Sequence, residues 1–178
     1  DRRHEPAGMR TLLAGLLAGA AIFGGSPAAA EGPVVVELFT SQGCSSCPPA
    51  DAFLKELASR PDVLALAFHV DYWDRLGWKD PYSSPAAAAR QRAYARFLSL
   101  RTVYTPQAVV DGRFDAIGSD RRAVARAIEA ARKSPHVETG LARENDEIVV
   151  RVAGMAADQR GNVSLVAYVR EAVTKVAA

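Results

Sequence analysis

Apolar and polar positions along the chain alternate between strand-like and helix-like patterns. Val34–Phe39 is an apolar run of strand length. Thr40–Gly43 has the composition of a turn. Ala50, Phe53, Leu54 and Leu57 then fall at i, i+3, i+4 and i+7, which predicts an amphipathic helix over about 47–58. Arg60-Pro61-Asp62 breaks that pattern, and the apolar run that follows predicts a buried strand over 63–69. Strand, helix and strand in this order imply a parallel pair joined by a crossover.

A loop rich in Gly, Pro and Ser spans 76–84. Pro85 suits a first helical position, and a helix is predicted from there to Leu100. Ala86, Ala89, Ala93, Phe97 and Leu100 are read as its buried face, and Arg90, Arg92, Arg96 and Arg101 as solvated positions. Asp111-Gly112 between short runs at 107–110 and 113–117 predicts a hairpin. Pro106 stands at the start of the first run, where proline is tolerated. Ser119-Asp120 supplies an N-cap for a helix over 120–133 with Val124, Ala127, Ile128 and Ala131 on one face. Beyond Pro135 the pattern changes. Val137–Ala142 alternates loosely, Ile148–Val152 and Val163–Val169 read as strands, and Asn145-Asp146 and Arg160–Asn162 mark turns. Residues 135–178 are therefore expected to form a β extension on a mixed α/β core at 31–134.

The chain has 178 residues, 49% hydrophobic and 24% charged, the balance of a globular protein. A net charge of +2 gives nucleic acid no electrostatic reason to be the partner. The segment from Met9 resembles a secretory signal peptide: Arg10 is basic, Thr11–Phe23 is apolar, and Ala28–Ala30 offers small residues for cleavage. A membrane anchor or buried N-terminal helix is the alternative, but the apolar run is too short to span a bilayer comfortably. The expectation is an exported protein, periplasmic or secreted, with no stable membrane span after cleavage.

The candidate chemistry is Cys44-Ser45-Ser46-Cys47, the only two cysteines of the chain, placed where the first strand hands over to the first helix. Unpaired N–H groups and the positive dipole end of a helix stabilise a thiolate. A second thiol three residues on can release the mixed disulfide that the first one forms. A structural staple is the plain alternative. Closing so short a loop contributes only about 2 kcal/mol, against about 3 for a fifteen-residue loop. A metal carrier is a third reading, with Cys44, Cys47 and His69 around a soft ion such as Cu(I); zinc would want further ligands. Thiol exchange itself needs no cofactor, because the sulfurs carry the electrons. Ligands in open α/β sheets bind beyond the carboxyl ends of strands. His69, Asp71, Tyr72 and Trp73, which leave the second strand there, are candidates for a substrate-binding wall, or else pack under a loop.

The element order, with Cys44–Cys47 opening the first helix and Thr105-Pro106 opening the third strand, resembles the thioredoxin fold. The strings V-E-L-F-T-S-Q-G-C-S-S-C-P-P-A-D, F-H-V-D-Y-W-D-R-L-G-W-K-D-P-Y-S-S and Y-T-P-Q-A-V-V-D-G resemble a thioredoxin-like family of secreted bacterial proteins of unknown function. The resemblance implies Cys44 as attacking thiolate, Cys47 as resolving thiol, Pro106 as a cis-proline beside them, and Thr105 within the substrate groove. It also implies Glu37 as the buried acid that takes the proton of Cys47. Thioredoxin holds that acid one residue nearer its first cysteine, and a one-residue shift turns a strand side chain to the other face unless the turn absorbs it. The implied activity is thiol–disulfide exchange on protein or small-molecule thiols and disulfides.

Overall fold

The computed structural model describes residues 32–156, 158 and 160–174, all within the unit Gly32–Ala178. The expected leader, 1–30, lies outside the described residues. Four strands form one mixed sheet: β1 (Val34–Thr40), β2 (Val63–His69), β3 (Gln107–Val110) and β4 (Phe114–Ile117), in the order β2-β1-β3-β4. β1 runs parallel to β2 and antiparallel to β3, and β3 pairs antiparallel with β4. The β3–β4 turn is made by Asp111 and Gly112, with φ of 54° and 67°. Positive φ at both central residues is what a tight hairpin needs to match the twist of its strands.

Strand alternation gives β1 two faces with different demands. Val36 packs with Phe53 and Leu57 of α1 (Pro48–Ala58) and with Val124 and Ile128 of α3 (Arg121–Arg132). Phe39 points the other way, into a cluster with Ala88 and Tyr94 of α2 (Pro85–Phe97). Helices thus flank a central mixed sheet on both sides, consistent with a thioredoxin-like fold. Among the described residues no helix is long and apolar enough to cross a membrane.

The caps follow the sequence closely. Ser84 Oγ accepts from the Ala87 N–H ahead of Pro85, and Asp120 Oδ1 accepts from the Ala123 N–H. The buried stripe of α3 is the expected one, Val124, Ala127, Ile128 and Ala131.

α2 departs from expectation in face and length. Its buried residues are Ala87, Ala88, Gln91 and Ala95, while Phe97 is 74% exposed. The helix is rotated because its polar residues have buried work. Glu37 lies on the α2 face of β1, 3% exposed. Arg90 forks onto both its oxygens, with Nη2 to Oε1 at 2.7 Å, and the Tyr94 hydroxyl donates to Oε1 at 2.6 Å. Burial, then the Glu37 carboxylate, pushes the Tyr94 phenol well above its usual range. Arg90 is therefore no solvated arginine. The helix stops at Phe97, before Ser99 takes φ of 55°, so Leu100 lies beyond it.

Between β2 and α2, Asp71–Leu76 forms a 3-10 helix ended by left-handed Gly77. No apolar period announced it. β5 (Glu138–Glu144) and β6 (Glu147–Ala153) make a separate two-stranded sheet turning at Asn145. The third strand expected in the extension does not form: 163–169 is irregular and Leu165 is 68% exposed. Apolar alternation gives a strand its faces, but its backbone still needs a paired neighbour.

Replacing one partner of a buried ion pair leaves the other charge uncompensated. Arg90→Ala is expected to lower unfolding stability by about 3 kcal/mol in urea denaturation. A change under about 0.5 kcal/mol, typical of a surface substitution, would contradict the role given to this pair.

Candidate functional site

The cysteine turn grows out of the end of β1. Thr40 and Ser41 are buried, at 0% and 2% exposure. Ser41 holds the turn from both its oxygens: Cys44 N–H donates to its carbonyl at 3.1 Å and Gly43 N–H to its Oγ at 3.1 Å. Cys44 and Cys47 are joined by a disulfide, with S–S at 2.07 Å. Cys47 is the N-cap of α1 and Pro48 opens the helix.

Pro48 and Pro49 change the electrostatics expected of this helix start. Proline has no N–H, so the first two helical positions offer no donor. Ala50 and Asp51 N–H both donate to the Cys47 carbonyl, at 2.8 and 3.1 Å, and Cys47 N–H donates to the Cys44 carbonyl at 3.1 Å. At the start of this helix, therefore, residues 48 and 49 have no donor, and those of Cys47, Ala50 and Asp51 are committed. Side chains take their place at Cys44. Thr105 Oγ1 donates to its Sγ at 3.3 Å, and Ser46 Oγ lies 3.5 Å from the same sulfur.

Thr105 and Pro106 thus stand beside Cys44 although about sixty residues separate them in sequence. Their peptide bond is cis. Trp73 Nε1 donates to Thr105 Oγ1 at 2.8 Å. A buried amide chain fixes the loop from behind: Gln91 Nε2 donates to the Tyr104 carbonyl at 2.7 Å and to Gln107 Oε1 at 2.8 Å, and Gln107 Nε2 donates to Asp115 at 2.6 Å. Gly118 N–H donates to the Pro106 carbonyl at 2.9 Å. A Cβ on Gly118 would lie 2.5 Å from Leu38 Cδ1 and 3.3 Å from Pro106 Cβ, so only glycine lets β4 end against the loop. Gly43 has the same function toward Trp73, whose Cβ would lie 3.2 Å from a side chain there.

The other residues singled out from sequence divide. Trp73 reaches the site. Tyr72 reaches Thr105 as well and donates its own hydroxyl proton to Gln91 Oε1 of α2 at 3.2 Å, and Asp71 opens the 3-10 helix beside it. Glu37 is not brought to Cys47. It lies on the α2 face of β1, bound to Arg90 and Tyr94, while Cys47 caps α1 on the opposite face. The one-residue offset was not absorbed by the turn. His69 sits at the end of β2, opposite Thr40 in register, with Nδ1 2.6 Å from Asp80 Oδ2. Among the described residues no group of three or more His, Cys, Asp or Glu side chains could hold a metal ion.

Two carboxylates matter here that sequence reasoning passed over. Asp80, 1% exposed, accepts from Gln42 N–H at 2.8 Å and from Tyr82 N–H at 2.9 Å. It thereby ties the cysteine turn to the loop before α2. Burial raises its pKa, but the donors from Gln42, His69 and Tyr82 outweigh that and hold it below the usual carboxylate range. Asp51, one helical turn past Cys47, accepts from Thr40 Oγ1 at 2.7 Å. Burial lifts its pKa above the usual range, against the opposing pull of Thr40 and His69. Both residues lie in segments read as an ordinary loop and an ordinary helix surface, and each binds the chain where β1 ends, Asp51 at Thr40 and Asp80 at Gln42.

Asp80→Ala leaves two N–H groups and His69 without an acceptor, and a loss of about 2–4 kcal/mol is expected in denaturant unfolding. Asp51 carries the opposite sign. A carboxyl whose folded pKa is raised above its unfolded value of 3.8 costs stability once pH rises past that value. Asp51→Asn, which still accepts from Thr40, should raise the thermal midpoint at pH 7. The gain should vanish below the unfolded pKa, and a gain independent of pH would contradict the assignment.

No curated protein matches the chain. A crystal structure of a protein from Agrobacterium tumefaciens, 40% identical, superposes with a TM-score of 0.63 over 68% of this chain. The match spans 57% of that protein's length. A family model described as "Protein of unknown function (DUF1223)" matches residues 35–178, from the start of β1 through both cysteines and the hairpin, and the chain belongs to that family.

Proposed function

We propose that this chain is an exported thiol–disulfide exchange protein of the thioredoxin superfamily, acting on protein or small-molecule thiols and disulfides. The observation that carries the reading is the Cys44–Cys47 disulfide at a strand-to-helix turn with the Thr105 hydroxyl at Cys44. The leader-like segment from Met9 supports export, where disulfides persist.

In the reducing direction, the Cys44 thiolate attacks one sulfur of a substrate disulfide. The substrate S–S bond breaks, a Cys44–substrate disulfide forms, and the departing thiolate takes a proton. Cys47 then loses its proton, attacks Cys44 Sγ and expels the second substrate thiolate. The substrate gains two electrons and the cysteine pair is left as a disulfide; the oxidising direction is the reverse. Asp51 is assigned the proton of Cys47, the role expected of Glu37, because it lies one helical turn along the same helix. Trp73 and the Thr105–Pro106 backbone border the partner site.

A static disulfide in a binding module is the rival reading, and the burial of both cysteines, 3% and 0% exposed, speaks for it. The two readings separate in a trapping experiment. Reduced Cys47→Ser, mixed with oxidised glutathione, should hold a stable adduct at Cys44 visible by intact mass. Under the same conditions Cys44→Ser should hold none. Equal or absent labelling in both would sink the exchange reading and leave the static one.

A further inference from the structure

The hydrogen bonds around Cys44 have a direction, and that direction assigns Trp73 a part in the chemistry. An indole N–H only donates. Trp73 Nε1, 2.8 Å from Thr105 Oγ1, therefore occupies a lone pair of the hydroxyl. The hydroxyl has one proton and must send it elsewhere. Cys44 Sγ lies 3.3 Å away. The Tyr72 hydroxyl also interacts with Thr105, but Tyr72 sends its own proton to Gln91 Oε1. That leaves a phenol oxygen competing with the sulfur. Once Cys44 is a thiolate the competition is decided, since a charged acceptor draws a hydrogen bond about twice as strong as a neutral one.

The demand for such a donor is set by the sequence of α1. Pro48-Pro49 removes the N–H groups that a helix start offers, and those of Cys47, Ala50 and Asp51 are committed to carbonyls. The geometry points to Trp73 as a positioning residue that fixes the Thr105 hydroxyl proton on Cys44 Sγ, so that the Trp73–Thr105 pair stabilises the attacking thiolate in place of backbone donors. This deepens the exchange reading and rests on it. Gly43 leaves room for Trp73, whose Cβ would lie 3.2 Å from a side chain at that position. Formation of the thiolate releases one proton to solvent, and no other reactant is involved.

The test is the pH profile of iodoacetamide alkylation at Cys44, with the protein reduced and Cys47→Ser as background. The wild-type pair should show a thiol titrating below the ordinary cysteine range near 8.5. Thr105→Val should lower the alkylation rate at pH 7 by about tenfold or more, the effect of losing one hydrogen bond to a charged group. Trp73→Phe keeps the ring and loses only the donor, and should lower it several-fold. Thr105→Ser retains a hydroxyl and should restore most of the rate, which a packing defect would not allow. Trp73→Phe combined with Thr105→Val should be no slower than Thr105→Val alone, because the indole acts through the hydroxyl.

An unchanged profile in Trp73→Phe, or full additivity with Thr105→Val, overturns the inference while leaving exchange chemistry intact. A Cys44 that fails to alkylate at any pH in the Cys47→Ser background overturns both. Should Trp73→Phe unfold, the Thr105→Val and Thr105→Ser pair decides alone: equal rates in those two reject the relay.

Discussion

The two-faced burial of β1 is the constraint on which the rest of the molecule depends. A strand covered on both sides must satisfy every side chain it turns to either face. On the α1 and α3 face Val36 and Leu38 ask only for apolar partners. On the other face Glu37 cannot stay charged without a cation and further donors. That requirement fixes which side of α2 turns inward, because Arg90 and Tyr94 must both reach it. Tyr94, so placed, also meets the Phe39 ring edge-on at 6.1 Å. The carboxylate thus organises packing, far from the sulfur chemistry at the strand's end.

Much of the fold was legible in the order of apolar runs. α1 and α3 carry a clean helical period, and the Asp111-Gly112 pair specifies a tight hairpin. The face of α2 was not legible, since a stripe holding Gln91, Arg90 and Tyr94 looks like a solvated surface until Glu37 and Gln107 are known to lie beneath it. The 3-10 helix at 71–76 is too short to show a period. At the site, the cysteines, Thr105, Pro106 and Trp73 were all visible as candidates. Their mutual placement depends on contacts between distant segments, and so do the carboxylates Asp51 and Asp80, which nothing local distinguishes from surface acids.

The replacement of backbone donors by side chains joins these observations to chemistry. Pro48 and Pro49 start α1 firmly but withdraw the N–H groups that a thiolate would use. Thr105 and, behind it, Trp73 reach Cys44 from segments distant in sequence, and Ser46 lies beside the same sulfur within the turn. A donor set built from side chains can be altered residue by residue, whereas a helix start cannot.

The measurement that tests the central claim most directly is the reduction potential of the Cys44–Cys47 pair, obtained by equilibrating the protein with glutathione. Exchange catalysts lie between about −120 and −270 mV, and structural disulfides below about −300 mV. The account predicts a value in the first range. A pair that stays oxidised at every accessible glutathione ratio would contradict it and make the disulfide a fixed part of the turn.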